Sequence, residues 1–446
     1  MKSVTVTNMT KGKPLKLILM FALPLMAGNI FQQLYTVTDT AIVGKALGVN
    51  ALAALGVVDW LNWMMLGIVQ GITQGFSILI SQKFGLGDHK QMRQIVANSC
   101  LMATTLSIIL CILAELLITP SVHLLRCPVE IMHYAVNYLR VMFIGIPVMM
   151  AYNMASAILR ALGDSKNPLY AMVYASLTNI VLDILFVLFF KWGVQGAALA
   201  TIIAQICATL YCLRKINEID LLNLTKKDFV ANITYIKHLT KLATPMAFQN
   251  TIIAIGGMIV QVVVNGFGVA FIAGFTATTK LYGILEVAAT SYGYAMVTYT
   301  GQNIGAGEKE RVEKGVRAGL IIGIITSLVI SFLMFTCGKL ILSCFISTNE
   351  TNGPLALEIA YDYLKIMSTF LPILYILHII RSSIQGMGNT VIPMISGIFE
   401  LIMRSASSLI LPILFGESCI MLAEVSAWTG ADLILIPGYL KEKKKI

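Results

Sequence analysis

The sequence predicts an all-α protein that crosses a membrane twelve times, and three observations carry that expectation. Of 446 residues, 57% are apolar and only 12% are charged, with a mean hydropathy of +0.81. Soluble domains carry about a quarter charged residues, so this chain has too few to cover a water-facing surface. Twelve stretches hold the roughly 20 mostly apolar residues that a helix needs to cross the hydrocarbon. None shows the ten-residue alternation of a membrane barrel.

In chain order the expected spans are 16–43, 51–80, 93–119, 131–158, 168–190, 194–213, 241–264, 270–300, 314–336, 356–384, 391–414 and 419–440. The first begins apolar, Leu15 to Leu25, behind a basic stretch, as a signal peptide would. It is read as a span because the helix-compatible run continues to Asp39 and the same element recurs later. The third carries no charge from Ser99 until Glu115.

The cations set the topology. Lys2, Lys11, Lys13 and Lys16 precede the first span, and Lys441, Lys443, Lys444 and Lys445 follow the last. Between them, basic residues gather in every second loop: Lys83 to Arg93, Arg160 and Lys166, Arg214 to Lys241, Lys309 to Arg317, and Arg381. These make 24 of the 32 Lys and Arg, as the positive-inside rule expects of twelve spans with both termini cytoplasmic. The remaining eight include Lys45, Arg126 and Lys280. The formal charge of +10 is therefore topology, and no nucleic-acid partner is expected. The eight cysteines form no C-x-x-C pair and read as packing residues.

The chain repeats itself. Tyr138, Leu139, Met142, Pro147, Gly163 and Pro168 recur at an offset of 225 as Tyr363, Leu364, Met367, Pro372, Gly388 and Pro393. Gln82, Gly85 and Gly87 recur at 220 as Gln302, Gly305 and Gly307, and Pro24 recurs at 221 as Pro245. Six spans per half is an even number, so both halves enter from the same side as parallel repeats. The expected organisation is an N-lobe over 1–213, a cytoplasmic linker over 214–235 and a C-lobe over 236–446, around a central cavity. Such a duplicated bundle is a transporter signal, because two lobes can rock about a central site.

Four stretches carry a family resemblance: "QQLYTVTDTAIVG" within 24–44, "GQNIGAGEKERV" at 301–312 with its partner "SQKFGLGDHKQMR" at 81–93, "LRALGDSKNP" at 159–168 running into "TNIVLD" and "GVQGAALAT", and "QGMGNTVIP" at 385–393. With these the chain resembles the MATE (multidrug and toxic compound extrusion) family. The resemblance implies twelve helices in two lobes and export of organic compounds in exchange for Na⁺ or H⁺. The first half is similar to the DinF-like prokaryotic branch, which has an Asp on the first helix and Asn-x-x-x-Asp on the fifth. Here these are Asp39, Asn179 and Asp183, with Thr201 on the sixth span completing the set. Where many relatives have an Arg-x-Glu pair on the eighth helix, this chain has Lys280 and Tyr282, with Glu286 one turn later.

The residues themselves support an ion site. Charges inside a span cost roughly 2.5–3.5 kcal/mol each on insertion scales and need a partner, a proton or a wet cavity. Asn29, Gln32, Thr36 and Asp39 share one face of the first span, with Tyr35 adjoining. Asn179 and Asp183 are four apart on one face of the fifth, and Asn153 and Thr201 lie on neighbouring spans. Carboxylate, amide and hydroxyl oxygens suit a hard cation such as Na⁺. They suit protons equally, and two adjacent acids titrate as a unit. Ion coupling is assigned to Asp39, Asn179, Asp183 and Thr201, which are also the Na⁺ ligands if Na⁺ is the ion. The substrate cavity is assigned to Asn29, Gln32, Tyr35, Thr36, Met149, Asn153, Lys280 and Glu286, and a helix kink to Pro24. Glu400 and Arg404, four apart with the acid first, read as a structural ion pair. Glu115 and Asp432 are expected near the membrane interfaces.

The expected protein is a monomeric, multi-pass antiporter of the bacterial plasma membrane. It exports small, amphipathic organic cations in exchange for H⁺ or Na⁺, with no other cofactor. The alternative is a lipid-linked oligosaccharide or lipid flippase of the same superfamily, whose cavity should be lined by cations rather than acids. A membrane enzyme is disfavoured, since no acidic loop motif of the D-x-x-x-D type, no G-x-S-x-G and no H-E-x-x-H occurs.

Overall fold

The computed structural model describes residues 6–125, 127–346 and 352–445, so Lys2 and Arg126 of the cation count lie outside the described residues. Among the described residues there are thirteen α-helices and no strand. They are α1 (Pro14–Leu47), α2 (Val49–Leu86), α3 (His89–Leu124), α4 (Val129–Ile144), α5 (Ile146–Ala161), α6 (Lys166–Asp183), α7 (Gly193–Asn217), α8 (Ile233–Val264), α9 (Val269–Gly305), α10 (Lys309–Ser343), α11 (Gly353–Gly386), α12 (Val391–Phe415) and α13 (Ala423–Lys443).

Ten of the helical stretches are long and apolar enough to span a membrane. The sequence predicts one span over 131–158, but the chain breaks there into α4 and α5, bent by 48°. Gly145 stands at the break, and a Cβ on it would run into the Ile202 side chain. Pro147, lacking an N–H, occupies the first turn of α5, where no intrahelical bond is needed. Counted as one span, this pair makes eleven. At 37 residues α9 has ample length, but Lys280, Glu286 and several Gly, Thr and Tyr dilute its apolarity.

The recurring glycine motifs are helix punctuation. Gly87 closes α2 in the left-handed conformation (φ 77°), and Asp88 then caps α3 by accepting from the Gln91 N–H at 2.9 Å. At the next such turn the Asp164 carboxylate accepts from the N–H groups of Lys166 and Asn167 at 3.0 Å, opening α6. Asn389 repeats this at the start of α12, accepting from Val391 N–H at 3.0 Å.

The chain divides into two compact units. Unit 1 holds Met1–Thr10, Leu23–Ala247 and Gly305–Gly307, and unit 2 holds Lys11–Ala22, Phe248–Ile304 and Glu308–Ile446. The chain changes unit at Leu23, next to Pro24, and again after Ala247, two residues past Pro245. In unit 1, α6 and α5 pack on α7, and α3 packs on α2, α4 and α5. Val43, Ala51, Val187, Val194 and Ala197 form an apolar cluster there, with Tyr134 and Tyr138 packed against it. In unit 2, α10 packs on α11, and α11 and α12 pack on α13.

The polarity of α3 is inverted relative to a water-soluble helix. Asn98, Ser99 and Ser107 face inward, while Ile108, Ile112 and Leu116 are 51%, 56% and 69% exposed. A large apolar stripe of this kind is stable against lipid and a liability in water.

Candidate functional site

Three helices of unit 1 bring the ion-coupling residues together. Asp183 is the last residue of α6 and is fully buried. The next six residues, Ile184–Phe189, form a π-helical turn, closed by a bond from Phe190 N–H to the Leu185 carbonyl at 2.8 Å. Such turns interrupt α-helices rarely and often mark functional positions. One turn before Asp183, buried Asn179 donates its Nδ2 to the Thr201 Oγ1 of α7 at 3.3 Å. Asp39 on α1 lies within electrostatic range of Asp183. Tyr35, one turn earlier on α1, feels both acids.

Four buried oxygens in this cluster have no protein hydrogen-bond partner: Asp39 Oδ1, Asn179 Oδ1, Asp183 Oδ1 and Asp183 Oδ2. Buried polar groups are nearly always satisfied, and an unmet carboxylate is the costliest kind to bury. Four such atoms on α1 and α6, beside the Thr201 hydroxyl of α7, make a site able to receive a proton or a hard cation.

The other expected cavity residues divide. Thr36 is exposed on α1, and its hydroxyl donates to the Gln32 carbonyl at 3.0 Å. Asn29 and Gln32 are half-buried on the same helix. Met149 and Asn153 are buried in α5, where Asn153 donates to the Met149 carbonyl at 2.8 Å. Lys280 and Glu286 belong to unit 2. Lys280 is exposed, whereas Glu286 Oε1 stands 3.4 Å from His378 Nε2 on α11. Pro24 lies inside α1, which is continuous from Pro14 to Leu47. Tyr138 on α4, which the sequence marks only as part of the repeat, is also within electrostatic range of Asp39 and Asp183. Its recurrence as Tyr363 was the signal available in the sequence.

Unit 2 holds a charge network that sequence reasoning saw only in part. Glu400 and Arg404 pair at 3.0 Å, and Arg404 also bonds Glu424 on α13 at 2.8 Å. Arg381, expected at a loop, is instead buried within α11 and bonds Glu400 at 2.7 Å. Its carboxylate partner lets the guanidinium leave water. Asp432, expected at an interface, is also buried, near Arg381 and Glu400 on α13. Glu115 pairs with Arg140 at 3.8 Å. No local spacing pointed to Glu424, because its partner lies on another helix.

A cavity of about 340 Å³ opens elsewhere in unit 1, between Gln94 and the linker residues Lys227 to Tyr235. Among the described residues no three His, Cys, Asp or Glu side chains converge as metal ligands.

The described residues form a bundle of long apolar helices with unsatisfied acids buried in one unit, and a family match places it among secondary transporters rather than enzymes. A family model described as MatE matches residues 24–185 and 245–409. The chain belongs to this MATE family. It is 32% identical over 386 residues to the probable multidrug resistance protein YpnP of Bacillus subtilis, covering 85% of this chain and 84% of that one. It is 25% identical over 445 residues to the probable multidrug resistance protein YoeA of the same organism, covering 96% and 94%. A MOP superfamily transporter from Pyrococcus furiosus shares the fold, with a TM-score of 0.91 at 21% identity over 100% of this chain and 98% of that one.

Proposed function

We propose that this protein is a cation-coupled multidrug efflux antiporter of the DinF-like branch, working by alternating access of two lobes. The observation that carries the reading is the set of four partnerless buried oxygens on Asp39, Asn179 and Asp183, with Thr201 fixing Asn179. Ion binding there, H⁺ or Na⁺, favours one arrangement of the lobes, and substrate favours the other. Each shifts the balance only by its differential affinity for the two states. Acids in the cavity favour amphipathic organic cations as substrates. Two relatives named as multidrug resistance proteins support drug export.

Twelve spans in two parallel repeats fit the ten single spans, the bent α4–α5 pair and α9. The family model supports the duplication: its two matches begin at 24 and 245, the offset that relates Pro24 to Pro245. The protein resides in the bacterial plasma membrane as a monomer, with both termini cytoplasmic.

The test is ethidium uptake into energised everted vesicles, with the Na⁺ and H⁺ gradients collapsed one at a time. Collapse of one gradient should stop uptake, and Asp39→Asn or Asp183→Asn should abolish it in folded protein. Uptake indifferent to both gradients, or undiminished in both variants, overturns the reading.

A further inference from the structure

The duplication allows one half of the chain to be compared with the other. Shifted by 225, Asn179 falls on Arg404, Asp183 on Ser408 and Tyr138 on Tyr363. The same helices of the repeat surround both positions, although Asp39 falls on Val260 at the offset of 221 and Thr201 on Ser426 at 225. In unit 1, Asn179 leaves α6 and bonds Thr201 on α7, in a cluster completed by Asp39 of α1 and Tyr138 of α4. In unit 2, Arg404 leaves α12 and bonds Glu424 on α13 at 2.8 Å. Its Nη1 donates to the Ile253 carbonyl of α8 at 3.3 Å, and α8 is the repeat of α1. Tyr363 of α11 lies within electrostatic range of both Glu424 and Arg404.

The two clusters differ in how their acids are answered. Unit 1 presents carboxylate oxygens without a protein partner. Unit 2 presents Glu400 and Glu424, and both receive the Arg404 guanidinium, at 3.0 and 2.8 Å. Arg404 is 5% exposed. Gly256 of α8 leaves the room, since a Cβ there would stand 3.1 Å from Arg404 Nη1. Tyr282, Glu286, His378, Arg381 and Asp432 are the further charged and titratable groups around the pair.

We propose that Arg404 is a tethered cation that fills the unit 2 counterpart of the ion site, so that the exchangeable ion binds in unit 1 alone. This rests on the ion-site reading of unit 1. A guanidinium on a covalent stem cannot leave, so the acids of unit 2 never join the exchange. They hold α8, α12 and α13 in one arrangement while unit 1 alternates between loaded and empty.

The experiment removes the tether and offers a free cation. Full-length protein carrying Asp39→Asn and Asp183→Asn, which silence unit 1, is compared with the same protein carrying Arg404→Ala in addition. Melting temperature is read in Na⁺, guanidinium (low millimolar) and choline at equal ionic strength. The Arg404→Ala protein should melt lower in choline and regain several degrees in Na⁺ or guanidinium. The parent should melt alike in all three, and Arg404→Lys should follow the parent. If neither small cation restores more stability than choline, or if Arg404→Ala fails to fold in every salt, the side chain is not a replaceable cation and the proposal falls. An ion-dependent shift in the parent, with Arg404 intact, points to an ion site outside Asp39 and Asp183. It defeats the unit 1 reading instead.

Discussion

The Asn179 side-chain amide donates to the Thr201 hydroxyl at 3.3 Å, and that hydroxyl donates to the Ala197 carbonyl at 3.3 Å. This relay fixes which way the amide faces and leaves Asn179 Oδ1 as an acceptor without a protein donor. Partners of this kind orient the atoms that hold an ion, and losing them weakens ion binding roughly tenfold to a hundredfold. Thr201→Val keeps the shape and removes the hydroxyl. It should raise the ion concentration needed for half-maximal ethidium transport by such a factor, while Thr201→Ser stays near wild type. Equal ion dependence in Thr201→Val and wild-type vesicles would show that the hydroxyl has no part in the site.

Glu400 answers two buried guanidiniums at once, Arg381 at 2.7 Å and Arg404 at 3.0 Å. Without it Arg404 retains Glu424, but Arg381 keeps no ion pair within 4 Å among the described residues, only the Ser396 hydroxyl at 3.5 Å and the charge of Asp432 further off. Stranding a buried charge costs about 3–5 kcal/mol, whereas replacing a whole pair with apolar groups costs far less. Glu400→Met should therefore lower thermal stability sharply, and adding Arg381→Met should recover part of the loss. A double variant less stable than the single one contradicts this account.

The sequence displayed the spans and the unit 1 acids because both are local patterns. An apolar run marks a helix by itself, and Asn179 and Asp183 mark a shared face by being four apart. The break between α4 and α5 was not legible, although Pro147 was in view. Its repeat partner Pro372 lies inside the unbroken α11. The difference is the residue two positions earlier: Gly145 in one half, Phe370 in the other. Proline weakens a helix in both places, and the glycine beside it lets the chain bend. The unit 2 network was half legible for a related reason. Glu400 and Arg404 share a helix, whereas Arg381 and Glu424 reach them from α11 and α13, and no spacing along the chain encodes that meeting.

Two nearby glycines should respond to alanine for different reasons. A Cβ on Gly305 would run into the backbone carbonyl of Gln82, which has no side-chain freedom to yield. Gly307 has nothing within 4 Å of such a Cβ, but its φ of +73° is a left-handed conformation. Overpacking costs about 1–3 kcal/mol, and the left-handed conformation costs an alanine roughly 1–2 kcal/mol. Replacing Gly307 with Asn, which tolerates that conformation, should recover stability, whereas Gly305→Asn should be no better than Gly305→Ala. Thermal unfolding of the four purified variants checks this, and rescue of position 305 by Asn would refute the steric account.

Outside the spans, the linker carries a carboxylate whose charge is held by its own turn. Asp228 Oδ2 accepts from the Thr225 N–H and from the Thr225 hydroxyl, both at 2.8 Å. The backbone bond first, then the hydroxyl and the Arg93 charge, hold this carboxyl below its ordinary pKa. A depressed folded-state pKa stabilises above the unfolded value and is lost as pH falls through the folded one. The turn should therefore persist from neutral pH down through the ordinary carboxylate range and open only in stronger acid. Hydrogen exchange at the Thr225 amide, corrected for the intrinsic rate, should show constant protection across that interval. Asp228→Ala should remove the protection at every pH, because no acceptor remains. Protection that fades at the pH where free aspartate titrates would mean that the Thr225 bonds do not favour the ionised form.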